Sequence, residues 1–186
     1  MLSIIIPTYN EANTIEELIQ YVQSVKYPIP YEIIIIDDAS IDRTYEKEVL
    51  IRIKSRKEQN NVRLFKNRMN RGKGFSIRKG IKRAEGDIII VQDADHEYDP
   101  NEIPKLLEPI LKGESQVVYG SRFLGHSRPE GMAYPNWIAN KFLTQLTNLF
   151  YGLRLTDMET CYKVFCSEII KNLKLRANRF TFEPEV

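Results

Sequence analysis

Cysteine, histidine and long apolar runs are scarce in this sequence: two cysteines and two histidines occur in 186 residues. Cys161 and Cys166 are spaced neither as C-x-x-C nor beside a histidine pair, and His96 and His126 lie far apart without a spaced partner. A disulfide scaffold and a zinc site are therefore not expected. The two thiols read as reduced, mostly buried groups of a cytoplasmic protein. No purely apolar run exceeds four residues (Ile33–Ile36, Ile88–Val91), whereas a membrane-spanning helix needs about 20. With no basic segment ahead of an apolar one at the N-terminus, the chain is expected neither to be exported nor to span a bilayer. Its 42% hydrophobic content, with nine glycines and nine prolines, excludes disorder and a collagen-like chain. One domain of this length buries roughly 70% of its unfolded surface, so any metal is expected to serve function rather than folding.

Acidic charge is nearly missing from one stretch. Arg52 to Arg83 holds thirteen Lys/Arg and one acid, Glu58, a net +12 hidden inside the overall +2 because the rest of the chain sums to −10. Such a block implies an anionic partner. Nucleic acid is the alternative that basic blocks raise first. Here it is not expected, because the block has only Phe65 and Phe75 as aromatics and lies between clusters of acids, a setting better suited to a phosphorylated small molecule with a divalent cation.

Strand-length apolar runs alternate with helix-period segments: Leu2 to Ile6, Thr14 to Val25, Glu32 to Ile36, Arg43 to Lys57, Val62 to Lys66, Phe75 to Ala84, Asp87 to Val91, Pro100 to Lys112 and Gln116 to Tyr119. The alternation predicts an α/β fold, a doubly wound and mostly parallel sheet in a single domain. Ile33–Ile36 and Ile88–Val91, apolar at consecutive positions, should be buried on both faces. Asn13 with Glu16 predicts a capping box, and Asp99, Pro100 and Glu102 the N-cap, N1 and N3 of the fourth helix. Beyond Gly120 the alternation stops. A Gly/Pro/Arg-rich loop to Pro135 leads into a helix from Asn136 to Tyr151 that is apolar over more than half its circumference. Packing against the sheet is the expectation for it, and a peripheral membrane contact helped by Lys141 and Arg154 the alternative.

Parallel α/β sheets bind ligands beyond the carboxyl ends of their strands, where strand order reverses. The acids collect there. The first strand runs into Pro7-Thr8-Tyr9-Asn10-Glu11, the second into Asp37-Asp38-Ala39-Ser40 and the fourth into Asp93-Ala94-Asp95-His96-Glu97. Carboxylates gathered this closely repel one another unless a cation or a donor-rich ligand compensates, and oxygen-only ligands favour Mg2+ or Mn2+ over zinc. No G-x-G-x-x-G follows the first strand, and Gly72-Lys73-Gly74 lacks the upstream glycine and following Ser/Thr of a P-loop. Dinucleotide-binding and P-loop sites are thereby excluded.

Ser3 to Glu11, Ile36 to Ser40 with Asp42 and Thr44, Asn70 to Gly74, the Asp93-Ala94-Asp95 triplet and Gly120-Ser121-Arg122-Phe123 resemble, in this order, glycosyltransferase family 2. The dolichyl- or polyprenyl-phosphate mannose synthase branch is the nearest, and Thr156 to Phe165 and Phe180 to Glu185 resemble segments of its bacterial and archaeal members. The resemblance implies a GT-A type, Rossmann-like fold, with a nucleotide-binding part over about residues 1–120 and an acceptor part over about 121–186. It implies that Pro7, Tyr9, Glu11, Ile36 and Asp38 hold the nucleoside, that Asp93 and Ala94 line the nucleotide pocket, and that Lys73 pairs with a phosphate. Asp95, with Glu97 as the second candidate, would ligate Mg2+ or Mn2+ on the donor diphosphate. Arg122, with Arg128 beside it, would hold the acceptor phosphate, which guanidinium binds in bidentate fashion.

The implied reaction is an inverting displacement at the anomeric carbon of a nucleotide sugar, GDP-mannose or a UDP-hexose, through an oxocarbenium-like transition state. A polyprenyl or dolichyl phosphate acceptor has a second pKa of about 6 and needs no strong base. A sugar hydroxyl would need one, with Asp157, Glu159, Glu183 and Glu185 as candidates and Glu185 taken as the catalytic residue. Two other classes compete: a non-catalytic nucleotide-sugar-binding module and a basic nucleic-acid-binding module. Members of the family continue past the Glu185 region into a V-P-x-x-Y stretch with a further Arg and Lys, so weakened turnover is expected of a chain ending at Val186. The expected location is the cytoplasm, at the cytoplasmic face of the membrane.

Overall fold

A computed structural model describes residues 1–57, 61–95, 97–124, 128, 131–179 and 181–186, without the side chains of 56 and 57. Glu58, His96, His126 and Phe180 lie outside the described residues. Six strands, β1 (Leu2–Thr8), β2 (Tyr31–Asp37), β3 (Val62–Lys66), β4 (Ile88–Val91), β5 (Val117–Tyr119) and β6 (Lys163–Cys166), form one sheet in the order β3-β2-β1-β4-β6-β5. β1 pairs in parallel with β2 and β4, and β2 with β3. Ile4 sits between Ile33 and Ile90, so the centre of the sheet is a row of β-branched side chains covered on both faces. Each such isoleucine contributes about 1.5–3 kcal/mol by leaving water.

β6 is the element that periodicity did not reveal. It inserts antiparallel between β4 and β5, Ile89 opposite Phe165 and Val118 opposite Val164. Four residues are too few to show a period, and only partners distant in sequence make Lys163–Cys166 a strand.

The helices are α1 (Ile15–Ser24), α2 (Thr44–Lys57), α3 (Lys73–Arg83), α4 (Ile103–Leu111), α5 (Tyr134–Tyr151), α6 (Ser167–Asn172) and α7 (Phe182–Glu185). α1 buries Ile15, Leu18, Ile19 and Val22, the i, i+3, i+4, i+7 stripe of an amphipathic helix. The capping box expected of Asn13 and Glu16 does not form. Thr14 occupies the N-cap position, its hydroxyl donates to Glu11 Oε2 at 2.7 Å, and Asn13 is exposed. Asp99 does cap, accepting from the Asn101 N–H at 2.9 Å, but over a 3₁₀ turn (Pro100–Glu102) that leads into α4. α3 lies close against β1. A Cβ at Gly80 would stand 2.4 Å from Ile5 Cγ2, so only glycine allows this approach.

α5 contradicts the expectation that it packs on the sheet. Thr144 is its only buried residue, while Phe142, Leu149, Phe150 and Tyr151 are 59–76% exposed. It is fastened to the segment before β6 by Met158 N–H donating to Thr144 Oγ1 and by two bonds between Asn148 and Leu155. Among the described residues no helix is long and apolar enough to cross a membrane.

Candidate active site

Strand order reverses between β1 and β4, and the acidic tips stand at that point, at the carboxyl ends of β1, β2 and β4. At the opposite, amino end the buried Glu32 is fully matched, by Ser3 Oγ, the Glu85 N–H and Arg63. The carboxyl end differs: buried Asp37 of β2 and Glu48 of α2 each keep one carboxylate oxygen with no partner among the described residues. Asn10 (φ 59°) and Ala39 (φ 62°) both adopt the left-handed conformation that non-glycine residues avoid. The two tips are cross-tied, with Asn10 N–H donating to Ser40 Oγ and Ile41 N–H to Asn10 Oδ1, both at 3.0 Å. Pro7 and Ile36 are register partners under this crossing. Tyr9 is left 43% exposed above it, its ring available to a flat ligand. Glu11 faces Thr14, as described.

Asp38 is engaged by the loop ahead of α3. Its carboxylate accepts from Asn67 Nδ2 at 2.7 Å, from the Arg71 N–H at 3.1 Å to each oxygen, and from the Gly72 N–H at 2.6 Å. With those three donors Asp38 clamps the loop that starts α3 and so shapes the pocket. Gly72 in that loop has φ 94°, and a Cβ there would meet Asn178 O at 2.4 Å. Asn67, which also binds Ser76 Oγ, was missed by sequence reasoning. Its signal is position: it directly follows β3, as Asp38 follows β2.

Lys73 bridges two carboxylates, 2.8 Å from Asp93 Oδ1 and 2.7 Å from Glu183 Oε1, rather than standing free for a phosphate. Lys163, buried on β6, donates to the backbone oxygen of the same Glu183 at 2.7 Å, and burial draws its ammonium down to about 8. Glu183 is thus gripped at both ends. Beside it, Ala94 is buried and so is the Cys161 thiol, which burial pushes up and keeps unreactive.

Asp95 and Glu97 are exposed, and the Glu97 N–H donates to Asp95 Oδ1 at 3.1 Å. Among the described residues no three His, Cys, Asp or Glu side chains stand together as a metal cage. Two hard carboxylates on an open edge nevertheless fit Mg2+ or Mn2+, which take their remaining ligands from water and substrate phosphates.

Arg122 and Glu185 are both engaged within the chain itself. Arg122 is held by Asp157, from Nε at 2.8 Å, Nη2 at 3.0 Å and its backbone N–H at 3.1 Å, and by Glu97 Oε1 at 3.3 Å from Nη1. Three of the five guanidinium N–H groups are engaged, including one bidentate edge, which leaves two N–H groups for a further acceptor. Glu185 is tied to the backbone. Both its oxygens accept backbone N–H groups, from Arg176 at 2.7 Å and Ala177 at 2.8 Å, and it fastens the segment ahead of α7. Of the four candidate bases only Glu159 has no bonded partner among the described residues, and burial raises its carboxyl above the ordinary range. Arg128 is exposed.

The architecture is that of the GT-A glycosyltransferases. It superposes on glucosyl-3-phosphoglycerate synthase from Mycobacterium tuberculosis, solved with Mn2+, UDP and phosphoglyceric acid, with a TM-score of 0.74 at 21% identity over 98% of this chain and 61% of that one. On S. aureus TarS 1-349 in complex with UDP-GlcNAc the TM-score is 0.63, at 21% identity over 99% of this chain and 52% of that one. The chain belongs to glycosyltransferase family 2, whose sequence profile (Glycosyl transferase family 2) matches residues 3–174. Curated relatives include dolichol-phosphate mannosyltransferase of Pyrococcus furiosus, 34% identical over 75% of this chain and 38% of the relative. A dodecaprenyl-phosphate galacturonate synthase of Rhizobium johnstonii is 29% identical over 98% and 53%. UDP-N-acetylglucosamine–dolichyl-phosphate N-acetylglucosaminyltransferase of Methanococcus voltae is 31% identical over 97% and 76%. The chain spans about two fifths and half of the length of the first two.

Proposed function

We propose that this domain transfers a hexose, with inversion, from a GDP- or UDP-sugar to the phosphate of a polyprenyl lipid at the cytoplasmic face of a membrane. The observation that carries the reading is the placement of Tyr9 just beyond β1 and of Asp93, Asp95 and Glu97 just beyond β4, on the two sides of the switch point, in a chain whose relatives are named for polyprenyl- and dolichyl-phosphate transfer. Tyr9 stacks on the base, while Pro7, Glu11, Ile36, Asp38 and Ala94 shape the pocket wall. Asp95 and Glu97 hold Mg2+ or Mn2+, which when bound neutralises the departing diphosphate. Lys73, set between Asp93 and Glu183, supplies positive charge at the mouth of α3. The acceptor phosphate oxygen bonds to the anomeric carbon as the bond to the diphosphate breaks and its electron pair leaves with the nucleotide. The acceptor part, about residues 121–186, presents Arg128 and the two uncommitted N–H groups of Arg122, with the exposed apolar face of α5 turned to the bilayer.

Transfer to a sugar hydroxyl is the second reading, favoured by one observation: Glu159 is unpaired and its carboxyl is raised, as a general base requires. Calorimetry with GDP and UDP, with and without Mn2+, tests the donor site. Nucleotide binding that needs Mn2+ and disappears in Asp95→Ala is expected, and metal-independent binding would refute the metal assignment. Product analysis with a short-chain polyprenyl phosphate and a soluble sugar then separates the acceptors. Glu159→Gln should leave lipid transfer nearly intact; loss of transfer on that change, with a soluble sugar as the better acceptor, would reverse the assignment.

A further inference from the structure

The basic stretch Arg52 to Arg83 is only partly used by the site above, which takes Lys73 and the backbone of Arg71 and Gly72. The outer face of α3 is left over. Between that face and residues 170–178 runs an open groove of about 870 Å3. Arg71, Arg78, Lys79, Lys82, Lys171 and Arg176 line it, and among the described residues no carboxylate does. The hydrogen bonds of three of the six go to neutral groups. Arg78 donates to Leu175 O and Asn178 Oδ1, Lys79 to Lys66 O and Asn67 Oδ1, and Lys171 to Ala84 O. Those bonds fix the charges in place without neutralising them. Burial, and after it the nearby Arg83, lower the Lys79 ammonium below its ordinary value, with the charge of Asp38 pulling the other way. The same groove has aliphatic walls, among them Leu173, 43% exposed, and Leu175.

We infer that this groove is a docking site for a membrane lipid with an anionic headgroup, the phosphate meeting the Arg78, Lys82 and Arg176 rim and the first hydrocarbon carbons the leucines. Arg78 and Lys82, four residues apart on α3, share one helix face, so their charges act together. Both halves of the lining are then used: an inorganic anion would leave the leucines bare. A nucleic acid would seek open aromatic faces, and the face of Phe75 is already covered by the Arg71 guanidinium at 3.9 Å. The inference is independent of the transfer reaction, because it is read by lipid binding in the absence of any donor.

The test is flotation of the full chain with phosphatidylcholine vesicles, with and without phosphatidylglycerol. Binding is expected only to the phosphatidylglycerol vesicles and should weaken with salt. The double change Lys82→Gln, Arg176→Gln should lower the partition coefficient roughly thirtyfold, about fivefold for each basic side chain. Melting temperature and Mn2+-dependent nucleotide binding should stay as in the parent, and Lys82→Arg should bind as the parent does. Equal binding to both vesicle types, or an unchanged partition coefficient in the double variant, would overturn the proposal. So would release by inorganic phosphate at constant ionic strength, which would make the ligand a free phosphate. An oligonucleotide that binds more tightly than the vesicles, and loses affinity in the double variant, would assign the groove to nucleic acid instead.

Discussion

Replacing Glu48 by glutamine should stabilise the protein, and by an amount that grows with pH. Glu48 lies on α2, which packs against β2 and β3, and is fully buried. Its Oε1 accepts from Thr8 Oγ1 at 2.6 Å, while its Oε2 and the Oδ2 of the equally buried Asp37 have no partner among the described residues. Burial drives the carboxyl up, Thr8 pulls it back and the charge of Asp37 adds to the rise, so it titrates at about 8 instead of 4.5. The folded chain therefore holds a proton that the unfolded chain releases above pH 4.5. Stability from this group is intact below pH 4.5, declines as pH rises and levels off past pH 8. At about 1.36 kcal/mol per pH unit the loss is on the order of 3 kcal/mol at pH 7. For a chain of this size that is roughly 6–12 °C in Tm. Glutamine keeps the bond from Thr8 and puts a donor where the orphan oxygen was. Thermal melts of both proteins from pH 4.5 to 8.5 should therefore nearly coincide at the acid end and separate steadily toward pH 8. Parallel curves, or a variant less stable at pH 7, would refute the reasoning.

Asp157→Asn removes the charge that fixes Arg122 and should cost about 3 kcal/mol in urea unfolding, because breaking one side of a buried pair leaves the other uncompensated. Changing both partners, Arg122→Met with Asp157→Leu, should cost less than that single change. Gly80→Ala should destabilise by about 1–3 kcal/mol despite the helix preference of alanine, since the new methyl would lie 2.4 Å from Ile5 Cγ2; an unchanged Tm would mean that α3 can lift from β1.

The resemblance to the family rests on segments that a reader of the sequence can see, and the position of the site followed from the same segments. Runs such as Ile33–Ile36 read as central strands because each residue is apolar, and acids directly after such runs must sit at the carboxyl edge of a parallel sheet. Less legible was what each acid does there. Asp38, Arg122 and Glu185 are all expected to face a ligand, and each also holds another part of the protein, Asp38 the Arg71–Gly72 loop, Arg122 the Asp157 carboxylate and Glu185 the backbone of Arg176 and Ala177. A charged residue at a strand tip has the same local sequence whether its partner is a substrate or a backbone N–H dozens of residues away. α5 misled in the opposite sense: its apolar residues suggested burial, but nothing in a helix's own period says whether another element is there to cover it.

What the sequence determined by itself was the α/β alternation, the burial of its central strands and the end of the sheet at which acids gather, since these depend on local period and on the polarity of neighbouring residues. Only the tertiary structure decided that β6 enters antiparallel between β4 and β5, bringing Lys163 toward Glu183, and that Glu183 rather than Glu185 meets Lys73 and Asp93. Those contacts join residues 20 to 110 positions apart. Their free energy comes from matching buried charges in three dimensions, which no local pattern records.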